Sequence, residues 1–174
     1  MHITEISTWI LAGQNPNKYI LCTENITKYE ASRCLYSTEK DTLGYGTVLT
    51  FLNEKLYSGN RVKFSGILMG EHVNSYAGLW IRAESDTLDL FGFDNLYPHS
   101  LFGTTSWKEY HVVLDVPKDC NTLSLGIALR GSGKVWFKEM NLGIVDPTVP
   151  LTRSKKNRIL LEGPTNLNFE NPIF

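Results

Sequence analysis

Polar and apolar residues alternate along much of this chain. Tyr110, Val112, Leu114 and Val116 fall on one face of an extended segment, with Glu109, His111 and Asp115 on the other. Leu123, Leu125, Ile127 and Leu129 alternate with Thr122, Ser124, Gly126 and Ala128, and Val62, Phe64 and Leu68 alternate with Arg61 and Lys63. A half-buried strand requires this period of two, because successive side chains leave the backbone in opposite directions. Residues 19–23, 31–36, 46–53, 78–84, 88–93 and 134–145 supply further strand candidates. Asn15-Pro16-Asn17, Ser58-Gly59-Asn60 and Pro117-Lys118-Asp119 separate them as turns. Gly131-Ser132-Gly133 predicts a tight hairpin in which glycine supplies positive φ. Sustained helical periodicity is missing, and residues 24–32 are read as one or two helical turns. Many short strands with turn-rich spacers predict an all-β antiparallel sandwich or barrel.

The pattern changes after Val145. Asp146-Pro147 and Val149-Pro150 lead into Thr152-Arg153-Ser154-Lys155-Lys156-Asn157-Arg158. The division expected is a sandwich over residues 1–146 and a C-terminal segment, 147–174, that is linker-like or packed on the sandwich. Ile159-Leu160-Leu161 reads as a short strand docking back, and residues 164–174 as a tail.

Composition narrows the class. At 174 residues the chain fits one domain that holds a core without metal or disulfide staples. A net charge of −1 supplies no global field for nucleic acid or an anionic membrane. The basic run from Arg153 to Arg158 lacks interleaved aromatics and reads as solvated charge rather than a phosphate contact. No apolar stretch approaches the ~20 residues of a membrane span, and the first residues lack the layout of a signal peptide, so a cytoplasmic location is expected. Cys22, Cys34 and Cys120 are odd in number and form no Cys-x-x-Cys pair, which predicts reduced, buried thiols and no metal site or cofactor.

Several stretches together carry a family resemblance. They are Arg61-Val62-Lys63-Phe64-Ser65-Gly66, Ala77-Gly78-Leu79-Trp80-Ile81-Arg82, Phe93-Asp94-Asn95, Gly103-Thr104-Thr105-Ser106-Trp107-Lys108-Glu109-Tyr110 with Leu114-Asp115-Val116-Pro117, and Gly131-Ser132-Gly133-Lys134-Val135-Trp136-Phe137. Over roughly residues 45–145 the chain resembles the galactose-binding-like jelly-roll domains. In particular it looks like a bacterial version found alone or attached to helix-turn-helix regulators of the arabinose-regulator type. The resemblance implies an antiparallel jelly-roll β-sandwich. Carbohydrate-binding members often carry an aspartate pair after the Val-Trp-Phe-like strand that helps hold calcium. Lys138 and Glu139 stand there in this chain, and lysine cannot ligate calcium. Pro164-Thr165-Asn166-Leu167-Asn168-Phe169-Glu170 resembles the opening of a following jelly-roll repeat, against the reading of residues 164–174 as a tail. These residues contain no helix-turn-helix segment.

Candidate chemistry follows from the strand assignments. Trp80 and Arg82 lie two apart and share a face, and Asp94 and Asn95 follow after a loop. An indole, a guanidinium, a carboxylate and an amide suit a sugar, which is held by stacking and a few directed hydrogen bonds. With Trp107 these form the candidate ligand site; the alternative is a core Trp80 and a structural Arg82–Asp94 pair. Trp136 faces opposite to Val135 and Phe137, so it is either an outward stacking platform or part of a second buried face. His72, Tyr76, Tyr97 and His99 fall in or near the loops expected to flank Trp80 and Asp94. His111 and Asp115 are about 13 Å apart by strand rise, too far for a dyad. The motifs of serine hydrolases, zinc proteases and nucleotide-binding loops are missing.

The first functional reading is a non-catalytic module that binds or senses a carbohydrate-like small molecule. The alternative is a protein-interaction or assembly domain linked to transcriptional regulation, with a protein partner or self-association. A glycoside hydrolase using a pair among Glu71, Glu84, Asp86, Asp89 and Asp94 is the third.

Overall fold

The computed structural model describes residues 9–27, 30–40, 42–86, 92–97 and 99–153, with the side chains of 24–31 left out. Eleven strands occur among them. They are β1 (Ile10–Gly13), β2 (Tyr19–Thr27), β3 (Glu30–Ser37), β4 (Tyr45–Leu52), β5 (Arg61–Glu71), β6 (Val73–Ser85), β7 (Gly92–Asp94), β8 (Leu101–Gly103), β9 (Lys108–Asp115), β10 (Cys120–Arg130) and β11 (Lys134–Val145). All pairings are antiparallel. One sheet runs β1-β4-β10-β6-β7 with β8 also on β6, and the other runs β2-β3-β11-β5-β9. This is the jelly-roll sandwich expected from the sequence.

The alternation selects which face is buried. In β5, Val62, Phe64 and Leu68 are at most 1% exposed, while Arg61, Lys63 and Ser65 between them are only half-buried. Leu79 and Ile81 of β6, Leu123, Ile127 and Leu129 of β10, and Val135 of β11 meet them from both sheets in one core. A one-residue slip would turn each of these sets outward, so the core itself holds the register.

Where the structure departs from the expectations, turn chemistry and register explain it. Residues 24–27 and 30–32 are strand rather than helix, and β2 pairs with β3 antiparallel, from Tyr19 opposite Ser37 to Thr27 opposite Glu30; 28–29 lie outside the described residues. That register puts Cys22 directly opposite Cys34, with Cα atoms 5.1 Å apart, a cross-strand pairing of the two thiols that the sequence reading did not expect. Cysteine counting misses such a pair because the hairpin, not sequence spacing, brings it together. Cys120 is free and buried, and burial pushes its thiol above its usual range. The strand expected over 88–93 reaches the described residues only as β7; 88–91 lie outside them. The readings of residues 154–174 also lie outside the described residues. Before that point, the segment after β11 crosses back to β9. Arg61 donates to the carbonyls of Pro147 and Val149, and Val113 N–H donates to the Thr152 hydroxyl at 2.6 Å.

Candidate functional site

The outward face of the β4-β10-β6 sheet holds the first two candidate residues. The middle of its central strand, β10, presents small side chains there: Ser124, Gly126 and Ala128. Gly126 cannot be larger, because a Cβ would collide with the Val48 carbonyl and Leu49. Trp80 pairs with Gly126, which pairs in turn with Leu49; Gly78 pairs with Ala128, which pairs with Thr47. The Trp80 indole N–H donates to the Thr47 hydroxyl at 2.8 Å, two strands away. An indole with that reach lies across β10, over the space its small residues leave. The Thr47 hydroxyl donates to the Ile127 carbonyl at 2.9 Å, which fixes the acceptor the indole uses. The result is a partly exposed aromatic plate held at its nitrogen edge.

Beside the plate, Arg82 pairs with Ser124 and with Phe93, and Ser124 pairs with Phe51. The Arg82 guanidinium binds the Glu84 carboxylate, so the pair carries little net charge. Ser124 is 5% exposed between Arg82 and Phe51, whereas Phe51 is 61% exposed. Ile10, Leu49 and Tyr45 extend the face over β1 and β4. The face is a platform rather than a pocket: a recess of about 460 Å³ lies at the end of the sandwich, and one of about 270 Å³ opens between the sheets beside Trp9 and Met140, at the edge marked by Phe51.

The other candidate residues are not brought onto this platform. Asp94 pairs with the core-facing Ile81 and is 2% exposed. Its Oδ1 accepts from Leu96 N–H at 2.9 Å, closing a turn in which Leu96 sits at φ 63, and its Oδ2 is buried without a partner. Asn95 accepts through its carbonyl from the Tyr76 hydroxyl at 2.6 Å. Burial, then the Asp94 charge, holds the Tyr76 phenol far above its usual range. Tyr76 lies in the first part of β6, Tyr97 and His99 lie between β7 and β8, and His72 lies in the turn before β6. Trp107 lies just before β9 in the other sheet, with the Lys138 ammonium 4.9 Å from its ring centre. Trp136 is on the outward side of β11 yet only 7% exposed, and Lys134 sits over its ring. Lys138 and Glu139 begin a register shift in β11, with Glu139 at φ 53. Among the described residues no group of three metal-ligating side chains occurs.

Sequence reasoning missed Thr47, Phe51 and Ser124. A signal for the platform was present in the off-phase positions of the Leu123 to Leu129 alternation, which hold only threonine, serine, glycine and alanine. Large neighbours can lie flat over such a row.

The fold and this face define a jelly-roll β-sandwich of the architecture used by carbohydrate-binding modules. The xylan-binding domain CBM22-1 of Paenibacillus barcinonensis Xyn10C superposes with a TM-score of 0.57 at 11% identity, over 79% of this chain and 85% of that one. The Clostridium thermocellum xylanase 10B fragment complexed with xylohexaose gives 0.60 at 13% identity, over 82% of this chain and 27% of that one. The enzymatically active domain of the bacteriophage CBA120 tailspike protein 4 gives 0.58 at 11%, over 80% and 20%. At these identities the likeness concerns fold alone. No protein-family model matches the sequence. In sequence, the chain is 33% identical over 168 residues to the uncharacterized HTH-type transcriptional regulator YbfP of Bacillus subtilis. The match takes in 95% of this chain and 57% of that protein, so the chain spans little more than half of its relative.

Proposed function

We propose that this domain is a non-catalytic module that binds a carbohydrate-like molecule on the outward β4-β10-β6 face. The observation that carries the reading is the Trp80 indole, anchored to Thr47 and laid over Gly126 and Ala128 with part of its surface open. A sugar ring presents an apolar face to such a plate and hydroxyls to polar groups at its rim. Arg82 and Glu84 supply donors and acceptors beside it, and their mutual pairing favours a neutral ligand over an anionic one. Asp94, Asn95 and Trp107 take no part in this proposal. The architecture shared with carbohydrate-binding modules supports it.

The likeness to a helix-turn-helix regulator supports a sensing role in the cytoplasm, with the sugar signal passed to a DNA-binding segment of the arabinose-regulator type. Among the described residues, no helix is long and apolar enough to cross a membrane. Cys22 and Cys34 face each other across β2 and β3, and a reducing compartment keeps such thiols unjoined, so counting thiols in protein freshly trapped from cells checks the location.

The hydrolase reading gains little from the geometry. Glu71 ends β5 just before β6 begins, and Glu84 lies near the far end of β6, more than about 30 Å away by strand rise. A protein interface is the second reading, favoured by the flatness of the face and the exposure of Ile10, Tyr45 and Phe51 on it. A thermal-shift screen against neutral oligosaccharides, xylohexaose included, separates the two. A glycan that raises Tm of the wild type and not of folded Trp80→Ala supports the first. No response, with concentration-dependent self-association lost in Phe51→Ser, supports the second.

A further inference from the structure

We propose that the end of the sandwich carries a second site, independent of the platform, that takes a small phosphorylated polyol such as a sugar phosphate. Three connections between the sheets meet there: residues 38–40 with 42–44, His72, and Gly131-Ser132-Gly133. Between them lies a recess of about 460 Å³, within the ~300–1,000 Å³ of small-molecule sites.

Its walls are fixed before any ligand arrives. Ser37 N–H donates to the Gly133 carbonyl at 3.0 Å, and Gly133 N–H donates to the Ser37 hydroxyl at 3.1 Å. Asn74 N–H reaches the Ser132 carbonyl at 3.0 Å, and the Asn74 side chain accepts from Ser132 N–H at 2.8 Å. His72 N–H is held by the Thr104 hydroxyl at 3.1 Å. The loops therefore need little ordering on binding, which favours affinity.

The side chains in the recess set the ligand's chemistry. Lys40 and Lys134 line it, and Lys134 is held over the Tyr36 and Trp136 rings with its ammonium 5.6 Å and 4.4 Å from their centres. Glu39, the nearer of the two carboxylates to Lys40 in sequence, is bonded to Lys18 at 2.8 Å. Lys40 and the His72 imidazole offer donors to an oxyanion, and Glu71, which stands opposite Lys134 across β5 and β11, offers acceptors to sugar hydroxyls beside the Ser132 side chain. His72 adds an independent argument. It holds φ at 51, a conformation glycine adopts freely, so this position keeps an imidazole at a backbone cost.

The test uses glucose 6-phosphate, fructose 6-phosphate, ribose 5-phosphate and glycerol 3-phosphate as probes in thermal shift and calorimetry, at about 10 mM, enough to raise Tm for sub-millimolar binders. Glucose, ribose and inorganic phosphate are run beside them. At least one phosphorylated probe should raise Tm well beyond its unphosphorylated parent and inorganic phosphate. His72→Gly keeps the fold, because glycine accepts this φ, and should weaken binding about tenfold or more, as should Lys40→Ala. Trp80→Ala should leave it unchanged. Silence from all four probes, an equal response to inorganic phosphate, or binding that survives in both His72→Gly and Lys40→Ala overturns the proposal. None of these outcomes bears on glycan binding at Trp80.

Discussion

Trp80 and Thr47 show how one hydrogen bond turns a large apolar side chain into a recognition surface. An indole free to rotate would lose entropy on stacking; one tethered at its nitrogen has already lost it. Thr47→Val keeps the shape of the side chain and removes the acceptor. It should cost about 1 kcal/mol of stability, read by urea denaturation, and weaken glycan binding without abolishing it. Tyr76 makes a second residue-scale prediction. Its phenol is raised by burial and then by the Asp94 charge, so the folded protein holds that proton above the pH at which the unfolded chain releases it. The stabilisation is complete below the ordinary tyrosine range near pH 10 and is lost as pH rises beyond it. Thermal melts from about pH 9 to 11 should show a steep fall for wild type and a shallower one for Tyr76→Phe.

At the scale of the strand, β10 makes the platform possible by carrying only small residues, Ser124, Gly126 and Ala128, along the middle of its outward face. Gly126→Val should lower Tm, because the new branch meets the Val48 carbonyl, and should also lift Trp80 and remove glycan binding. Thermal melts and the same sugar titration check both effects. The strands themselves were legible because β5, β9 and β10 each bury one face, and burial enforces the period of two. Short edge elements were not: β1 and β8 hold too few residues to show a period. The β2–β3 hairpin was hidden behind a polar stretch that sequence alone reads equally well as helix, and with it went the Cys22–Cys34 pairing. The site was legible in part for the same reason. Trp80 and Arg82 share a face by strand periodicity, whereas Thr47 and Phe51 join them only through cross-strand register. Asp94 looked like a partner for Arg82 because the two are close in sequence, yet β7 turns its carboxylate toward the core.

In the whole molecule the two faces of the sandwich differ. The β4-β10-β6 side leaves Phe51 and part of Trp80 open, while on the β11 side Trp136 and Cys34 are buried despite pointing outward. The segment after β11 is clasped to β9 through Arg61, which binds Asp115 through Nε at 2.6 Å and the Val149 carbonyl at 2.7 Å. Arg61→Ala should speed amide hydrogen exchange at 148–152 while leaving exchange in β10 unchanged. The central claim is that a glycan lies on the outward β4-β10-β6 face. The most direct test is amide NMR shift mapping with an oligosaccharide that binds. The account predicts perturbations centred on Thr47, Leu49, Trp80, Arg82, Ser124 and Gly126, together with the Trp80 indole N–H. Perturbations confined to the β11 side or to the loop ends, with that indole resonance unmoved, would contradict it.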